Sequence, residues 1–216
     1  VYAMRKQYQQ SMDDLNLLIA KDTNDQVSLY NRAGLKEKMK DFAGSVSDYQ
    51  HLLKSIRIKP SPIIVDTAEV LNSIGWTYYL SKQYKLCVEY ADKSLLVRPD
   101  DSHTLDTKGS GYFGLGEYEK CIYDMTLAIG LDPDLANSWY LRGLSYQKLD
   151  LPERACADLS KAAGLGLVEA DKAKKELCPS SIAEVESQRQ FPVGKPTNSK
   201  NSVGIDYNGI IYFRFK

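Results

Sequence analysis

The chain has 216 residues, and 28 basic and 28 acidic side chains give it a formal net charge of zero. This balance excludes the global basic field that electrostatic binding of nucleic acid requires, and no acidic tail is present. No apolar run approaches the roughly 18 residues of a membrane span, and no signal-peptide pattern opens the sequence. We therefore expect no nucleic-acid partner and no membrane span.

The first predicted element is a helix in the stretch YQQSMDDLNLLIAKD, which begins at Tyr8. Its apolar residues recur at helical spacing. The region from Val27 to Pro60 also has helical periodicity, with Tyr30, Gly34 and Tyr49 as its markers. The insertion SPIIVDT follows this region and separates it from a more regular part of the chain.

From residue 68 onward the sequence repeats itself. Gly75, Gly109 and Gly143 are equally spaced, and each is followed by a tyrosine three positions later and a small residue twelve positions later. The tyrosines are Tyr78, Tyr112 and Tyr146, and the small residues are Cys87, Cys121 and Ala155. Two units also have a proline near their end, at Pro99 and Pro133. With Gly34 placed in the glycine column, the Val27–Pro60 region is a looser copy, one residue short between its helices.

These columns resemble the tetratricopeptide repeat, which has a period of about 34 residues and the pattern Trp-x2-Leu-Gly-x2-Tyr, then Ala, an aromatic residue, Ala and Pro. The resemblance implies an all-α fold, a right-handed superhelical solenoid of antiparallel helix pairs. It implies a solenoid over 1–178, with a partial repeat 1–26, repeats 27–67, 68–101, 102–135 and 136–166, and a capping helix 167–178. After it we expect a helix and linker over 179–201 and a short β-hairpin-like segment over 202–216.

The glycine-rich stretch from Leu105 to Met125 offers a competing interpretation. Gly109, Gly111 and Gly114 satisfy Gly-x-Gly-x-x-Gly, the dinucleotide-binding pattern. That pattern must follow a hydrophobic strand, whereas here a turn and a helix start precede it. We therefore expect no nucleotide cofactor. The repeat pattern requires glycine at neither Gly111 nor Gly114, and each should weaken its helix by about 1 kcal/mol relative to alanine.

The four cysteines fall into two groups. Cys87 and Cys121 occupy the small-residue column and are expected to be buried thiols. Cys156 and Cys178 lie on successive predicted helices that should run antiparallel, so the two could be close. We favour reduced thiols there and leave a disulfide open, since nothing in the sequence proves an oxidising compartment.

Neither metal binding nor catalysis is predicted. No Cys-x-x-Cys motif occurs, and His51 and His103 belong to different repeats. No nucleophile, base and orienting group converge at spacings that the fold would bring together. We therefore expect a protein that is not an enzyme and that has no cofactor and no metal site.

Two pairs of opposite charges recur at a fixed spacing. Lys108 and Asp124 are separated by the same interval as Arg142 and Asp158, in equivalent positions of two units. Such charges could form a clamp for a charged ligand or an ion pair between the two helices of each unit. We favour the ion pair.

The resemblance also implies a binding surface, because the first helix of every unit in this family lines a concave groove. Carried over position by position, the expected peptide-binding residues are Asn31, Asn72, Trp76, Tyr79, Asp106, Phe113, Tyr140 and Leu144. Aromatic anchors among them would dominate binding. The Lys/Asn clamp by which some members hold chaperone C-termini is absent, since its positions hold Asn31, Leu35, Ser73, His103 and Thr107.

The C-terminal segment VGIDYNGIIYFRFK is β-branched and aromatic, with Asn208-Gly209 at its centre. Asn-Gly between apolar runs is a strong hairpin signal. Since an isolated hairpin is marginal in water, we expect it to dock on its own solenoid, to exchange with a second copy, which would give a homodimer, or to add to a partner's sheet. We favour docking on the convex or C-terminal flank of its own last units.

The sequence thus predicts a non-catalytic protein–protein interaction module that binds a peptide or protein segment in its groove. The alternatives are a structural, self-assembling protein and a regulatory segment of a larger enzyme. Because the chain begins with Val1 inside a half repeat, we expect it to be a piece of a longer protein. Its localisation stays open; the cytoplasm is favoured, with the periplasm or secretion as alternatives if an upstream segment was removed.

Overall fold

The computed structural model describes residues 2–58 and 66–178, together with two short strands near the C terminus. Residues 2–58 and 66–178 form ten helices, which belong to one structural unit, Val1–Cys178. The helices are α1 (Tyr2–Lys21), α2 (Gln26–Lys38), α3 (Phe42–Ile58), α4 (Thr67–Leu80), α5 (Tyr84–Val97), α6 (Ser102–Leu115), α7 (Tyr118–Leu131), α8 (Ala136–Lys148), α9 (Pro152–Gly164) and α10 (Val168–Leu177).

Each helix packs against the next along the whole series from α1 to α10. In addition, α4 contacts α6 and α6 contacts α8, so the first helices of neighbouring units lie side by side. We call α2, α4, α6 and α8 the first-helix layer. The predicted all-α solenoid of helix pairs is confirmed. Within residues 2–58 and 66–178, no helix combines the length and the hydrophobicity that crossing a bilayer requires.

Aspartates begin three of the four first helices. The carboxylates of Asp25, Asp66 and Asp101 accept hydrogen bonds from backbone N–H groups in the first turns of α2, α4 and α6. An N-cap of this kind satisfies donors that have no partner inside the helix, and it is worth about 1 kcal/mol. These caps set where α2, α4 and α6 begin.

The turn between the two helices of each unit always contains one residue with left-handed backbone. The φ angles are +65° at Lys40, +61° at Lys82, +78° at Gly116 and +58° at Asp150. Only the third unit uses glycine there, although this conformation costs other residues about 1–2 kcal/mol. The four residues therefore mark one equivalent position in the four units.

This position corrects the sequence alignment of the first unit. Lys40 lies seven residues after Ala33, as Lys82 lies seven after Gly75, so Ala33 and not Gly34 occupies the glycine column. Ala33 is fully buried. The first unit therefore has the full spacing between its helices, and the predicted one-residue shortfall is wrong. The glycine pattern misled the alignment because alanine is small enough for the same packing role.

The glycine column brings the two helices of a unit together. A Cβ added at Gly75 would lie 3.2 Å from the carbonyl oxygen of Cys87, and one at Gly143 would lie 3.2 Å from that of Ala155. The glycine and small-residue columns therefore meet, as the repeat pattern predicts.

The two extra glycines of α6 have a packing role. A Cβ on Gly111 would lie 2.8 Å from Val88 Cγ2, and one on Gly114 would lie 2.5 Å from Tyr84 Cδ1. Both neighbours belong to α5, the second helix of the preceding unit. The glycines thus allow α6 to approach α5, which explains why the helix tolerates them. Since both lie inside α6, they do not form a phosphate loop.

We expect opposite effects from alanine at two exposed glycines. Gly116→Ala should lower the free energy of unfolding by about 1 kcal/mol, because Gly116 has left-handed backbone. Gly130→Ala should raise it by about 0.5–1 kcal/mol, because Gly130 lies in α7 and a Cβ there meets nothing within 4 Å. Urea titration of both variants measures the two changes. A loss of stability in both variants would contradict the placement of Gly130 at an open helical position.

The predicted inter-helix ion pairs are confirmed. Arg142 Nε and Nη2 donate to the two carboxylate oxygens of Asp158 at 2.7 and 2.9 Å. Lys108 Nζ lies 3.9 Å from Asp124 Oδ1 and 2.9 Å from Asp92 Oδ1. The second pair is looser because Lys108 is drawn toward Asp92.

A third pair of the same kind joins α2 to α3. Arg32 Nε and Nη2 donate to Asp48 at 2.8 and 2.7 Å, and Lys36 Nζ lies 2.8 Å from the same carboxylate. These cations lower the pKa of Asp48, although burial of the carboxylate opposes them. Arg32 and Asp48 have the same separation along the chain as the other two pairs, but the shifted alignment of the first unit concealed the equivalence.

The structure corrects the preference for reduced thiols at Cys156 and Cys178. These residues form a disulfide, with their Cα atoms 5.6 Å apart, inside the range of about 4.4–6.8 Å that a disulfide requires. The bond forms because α10 packs against α9 and its C-terminal end returns to the start of α9. Cys87 and Cys121 are free and buried, as predicted.

The second structural unit, Pro179–Lys216, contains two short strands. β1 (Ser202–Ile205) pairs antiparallel with β2 (Ile211–Arg214), with Val203 opposite Phe213. The helix and linker predicted over 179–201 and the predicted Asn208-Gly209 turn lie outside the described residues. Docking of this segment on a solenoid stays a prediction.

Candidate functional site

A cleft of about 650 Å³ lies along the first-helix layer between α2, α4 and α6. Each of the three helices contributes four residues. These are Tyr30, Gly34, Glu37 and Lys38 on α2; Glu69, Asn72, Ser73 and Trp76 on α4; and His103, Thr104, Asp106 and Thr107 on α6. Tyr49 on α3 closes its inner wall, and Arg98 and Asp101 lie at its α5–α6 edge.

Three carboxylates in the cleft accept hydrogen bonds from neutral donors. Asp106 accepts from Asn137 Nδ2 at 2.9 Å and from Ser138 Oγ at 2.6 Å. Glu69 accepts from the Tyr30 hydroxyl at 2.9 Å, and Glu37 accepts from the hydroxyl of Thr77.

The surroundings of two of these acids oppose ionisation. Burial raises the pKa of Glu37, although the hydrogen bond from Thr77 acts in the other direction. Burial also raises the pKa of Asp106, against the hydrogen bonds from Ser138 and Asn137 and the charge of His103. Neither acid forms an ion pair among the described residues, and a carboxylate withdrawn from water is costly to charge, so both acids would gain from a positive ligand.

Aromatic rings form part of the walls of the cleft. Tyr30 and Tyr49 meet edge to face with centroids 5.7 Å apart. Trp76 stacks on Tyr79 with centroids 5.0 Å apart. The stacking on Tyr79 restricts the orientation of the Trp76 indole at the cleft wall.

The structure brings three of the sequence-predicted site residues together and separates the others. Asn72, Trp76 and Asp106 line the cleft, and Tyr79 stacks on Trp76 without lining the cleft. Asn31 is exposed and lies outside the cleft lining.

The remaining predicted residues, on α6 and α8, form a different apolar region. Phe113, Tyr140 and Leu144 are half-buried against the core cluster that contains Cys121 and Met125. They are anchored in the packing of the third and fourth units and do not line the cleft.

Sequence reasoning missed Tyr30 and Glu37 because of the alignment on Gly34. With Ala33 in the glycine column, these two residues and Lys38 occupy groove positions of the first unit, and Leu35 does not. The signal that could have found the correct register is the spacing of Arg32 and Asp48, which matches that of the two ion pairs identified from the sequence.

The thiols in this unit are poor nucleophiles. Burial raises the pKa of Cys87 and of Cys121 to about 12, so both are protonated at neutral pH. In the part of the chain that the structure describes, no group of three or more His, Cys, Asp or Glu residues is placed to hold a metal ion.

Stacked helix pairs with a cleft along the first helices define the class of this protein, an all-helical repeat solenoid. Residues 68–101 and 136–165 match the sequence model of the tetratricopeptide repeat. The chain therefore contains tetratricopeptide repeats, and the match supports a protein–protein interaction module. Sequence comparison with curated proteins finds no significant match.

Solved structures of the same fold include several tetratricopeptide repeat proteins. YrrB, described as a TPR protein with an unusual peptide-binding site, is 15% identical and has a TM-score of 0.59, with 80% of this chain and 86% of that chain covered. MamA from Desulfovibrio magneticus RS-1 is 21% identical with a TM-score of 0.61, covering 76% and 88%. The Arabidopsis OM64 TPR domain is 21% identical with a TM-score of 0.50, covering 51% and 93%. At these identities the likeness concerns the fold.

Proposed function

We propose that this protein is a non-catalytic interaction module whose cleft between α2, α4 and α6 binds a peptide segment of a partner protein. The observation that carries the proposal is the cleft itself. Its volume of about 650 Å³ lies within the range of roughly 300–1,000 Å³ that is typical of ligand sites. Equivalent positions of three successive units line it, so an extended segment could contact all three.

The chemistry of the lining supports a peptide. Trp76 and Tyr30 offer aromatic surface, whereas Asn72, Ser73 and Asp106 offer hydrogen-bonding groups. A peptide presents both apolar side chains and backbone N–H and C=O groups, and it would use both kinds of contact. The peptide-binding site named for YrrB, which shares the fold, is consistent with this choice.

The lining does not favour catalysis. Its acids accept hydrogen bonds from amide and hydroxyl groups, and neither free cysteine lines the cleft. An acid that acts as a general base must lie within hydrogen-bonding reach of a nucleophile or of a substrate proton. Among the described residues of the lining, no acid is paired with a cysteine nucleophile. Proteins of this repeat family are generally non-catalytic, which supports the same conclusion.

Truncation of Trp76 tests the proposal. A display library of random dodecapeptides is selected on the intact 216-residue chain, and the affinity of an enriched peptide is measured by calorimetry. We expect Trp76→Ala to weaken binding by about 1–3 kcal/mol, because a rigid aromatic anchor at a cleft wall contributes strongly to affinity.

Trp139→Ala is the matched control. Trp139 is also half-buried, but it lies on α8 outside the cleft, where Nε1 donates to Pro133 O at 2.9 Å. The control should bind the peptide normally, and thermal melting should show both variants folded. Equal losses in the two variants, or losses that follow the melting temperature, would contradict a peptide site in the cleft.

A further inference from the structure

We propose that the cleft recognises a basic residue of its peptide, with the lysine or arginine side chain received among Glu37, Glu69 and Asp106 beside Trp76. This inference rests on the proposed function and specifies the chemistry of the partner at that site. It commits to a peptide with a cationic side chain and excludes an acidic peptide of the kind that a Lys/Asn clamp would hold.

The cleft carries three acids that form no ion pair. Among the residues that the structure describes, eleven ion pairs are found, and none of them involves Glu37, Glu69 or Asp106. Arg98 lies at the edge of the cleft, but it pairs with Asp66 and Asp101. Of the other basic groups of the lining, Lys38 and His103 are exposed, and His103 forms no ion pair with Asp106, although its charge lowers the pKa of that acid.

The cleft also has an excess of hydrogen-bond acceptors. Besides the carboxylates, Asn72 contributes a side-chain oxygen that is buried and has no hydrogen-bond partner among the described residues. Asn72 lines the same cleft. A buried acceptor without a donor is unusual, and it indicates a missing partner. Lysine brings three N–H donors and arginine five, and neither brings an acceptor.

The aromatic wall of the cleft can receive a cation. Trp139, the other tryptophan, has the guanidinium of Arg142 over its ring at 4.8 Å. Trp76 has no such cation among the described residues. A cation over an indole face is attracted by the ring quadrupole, most strongly where water is excluded. The lining of the cleft therefore combines an indole that has no cation over it among the described residues with acids that form no ion pair.

Burial of the acids favours the same ligand. Because burial raises the pKa of Glu37 and Asp106, a bound cation would stabilise their ionised forms and recover part of the cost of burying them. Partly desolvated charge pairs of this kind are stronger than pairs on an open surface.

The selected dodecapeptides provide the test. Peptides enriched on the intact chain should share a lysine or arginine at one position, and replacing that residue by glutamine should weaken binding about tenfold or more. The double variant Glu37→Gln, Glu69→Gln should lose a similar factor and should no longer distinguish the two peptides. Glutamine retains the acceptor oxygen toward Thr77 and Tyr30, so the fold should be maintained.

The matched control is Glu119→Gln, Glu153→Gln, which removes two exposed acids that do not line the cleft. It should bind as the unchanged chain does. If peptides bind and require Trp76 but show no basic position, the proposed function holds and this inference is overturned. If no peptide is enriched, both are overturned. Equal weakening in the two double variants would indicate a general charge effect and would also overturn the inference.

Discussion

Replacing Asp158 with asparagine is expected to lower the free energy of unfolding by about 2–4 kcal/mol. Both carboxylate oxygens of Asp158 accept from Arg142, and the side chains are only 8% and 13% exposed. The asparagine would leave a largely buried guanidinium without its opposite charge, and removing one partner of a buried pair is strongly destabilising.

The same substitution at the equivalent residue Asp124 should raise the free energy of unfolding above neutral pH instead of lowering it. Asp124 Oδ2 has no hydrogen-bond partner among the described residues, and Lys108 lies closer to Asp92 than to Asp124. Burial raises the pKa of Asp124 to about 6, although Lys108 lowers it. Asp124→Asn should therefore raise the free energy of unfolding by about 1–3 kcal/mol at pH 8, where the wild-type carboxylate is charged. Lys108 keeps Asp92 as its partner in this variant.

The pH dependence follows from the direction of the shift. A carboxyl group whose pKa is raised in the folded state contributes stability below its unfolded pKa, and this contribution is lost as pH rises through the folded value. Because the pKa of Asp124 is raised from 3.8 to about 6, the difference in the free energy of unfolding between wild type and Asp124→Asn should grow between about pH 4 and pH 7. Urea titrations of both variants at pH 4.5 and pH 8 measure this. Destabilisation by Asp124→Asn at pH 8 would contradict the inference that the long ion pair with Lys108 does not offset the burial of this carboxylate.

Removing the disulfide is expected to destabilise the end of the solenoid. The bond joins residues 22 positions apart, and loop-closure entropy for a loop of that length corresponds to roughly 3 kcal/mol. The effect should be concentrated in the last unit, because each repeat of a solenoid contacts only its neighbours. We expect Cys156→Ala, Cys178→Ala to increase hydrogen exchange in α9 and α10 while α4 and α5 stay protected.

The state of the thiols can be checked directly. Alkylation of the unfolded, unreduced protein should modify Cys87 and Cys121 and leave Cys156 and Cys178 unmodified. Added reductant should lower the stability of the wild type and leave the double variant unchanged. Modification of all four cysteines without reductant would show that the bond is absent.

Much of the fold could be predicted because it depends on local spacing. Gly75, Gly109 and Gly143 recur at one constant interval, and a helix places residues at fixed angles, so each glycine must face the same side of its unit. The separation of Arg142 and Asp158 follows from the same geometry. The second helix of a unit runs antiparallel to the first, so residues at this constant separation lie opposite each other and their opposite charges pair.

The candidate site could be predicted only in part. Asn72, Trp76 and Asp106 were found because their units carry the glycine that fixes the register. Glu37 was missed because Ala33 replaces that glycine, and a neighbouring Gly34 attracted the alignment. Repeat columns identify equivalent positions only where the marker residue is present, although the packing requires no more than a small side chain.

The sequence by itself determined the repeat period, the helix pairs, the ion pairs and the burial of Cys87 and Cys121, because all of these depend on contacts within one unit or with its neighbour. The tertiary structure alone decided that α2, α4 and α6 share one cleft, that Cys156 meets Cys178, and that Gly111 and Gly114 face Val88 and Tyr84 of α5. These features depend on how far one helix lies from the next when the units stack. Side-chain periodicity fixes which face of a helix is buried, but the stacked backbones fix what lies opposite that face.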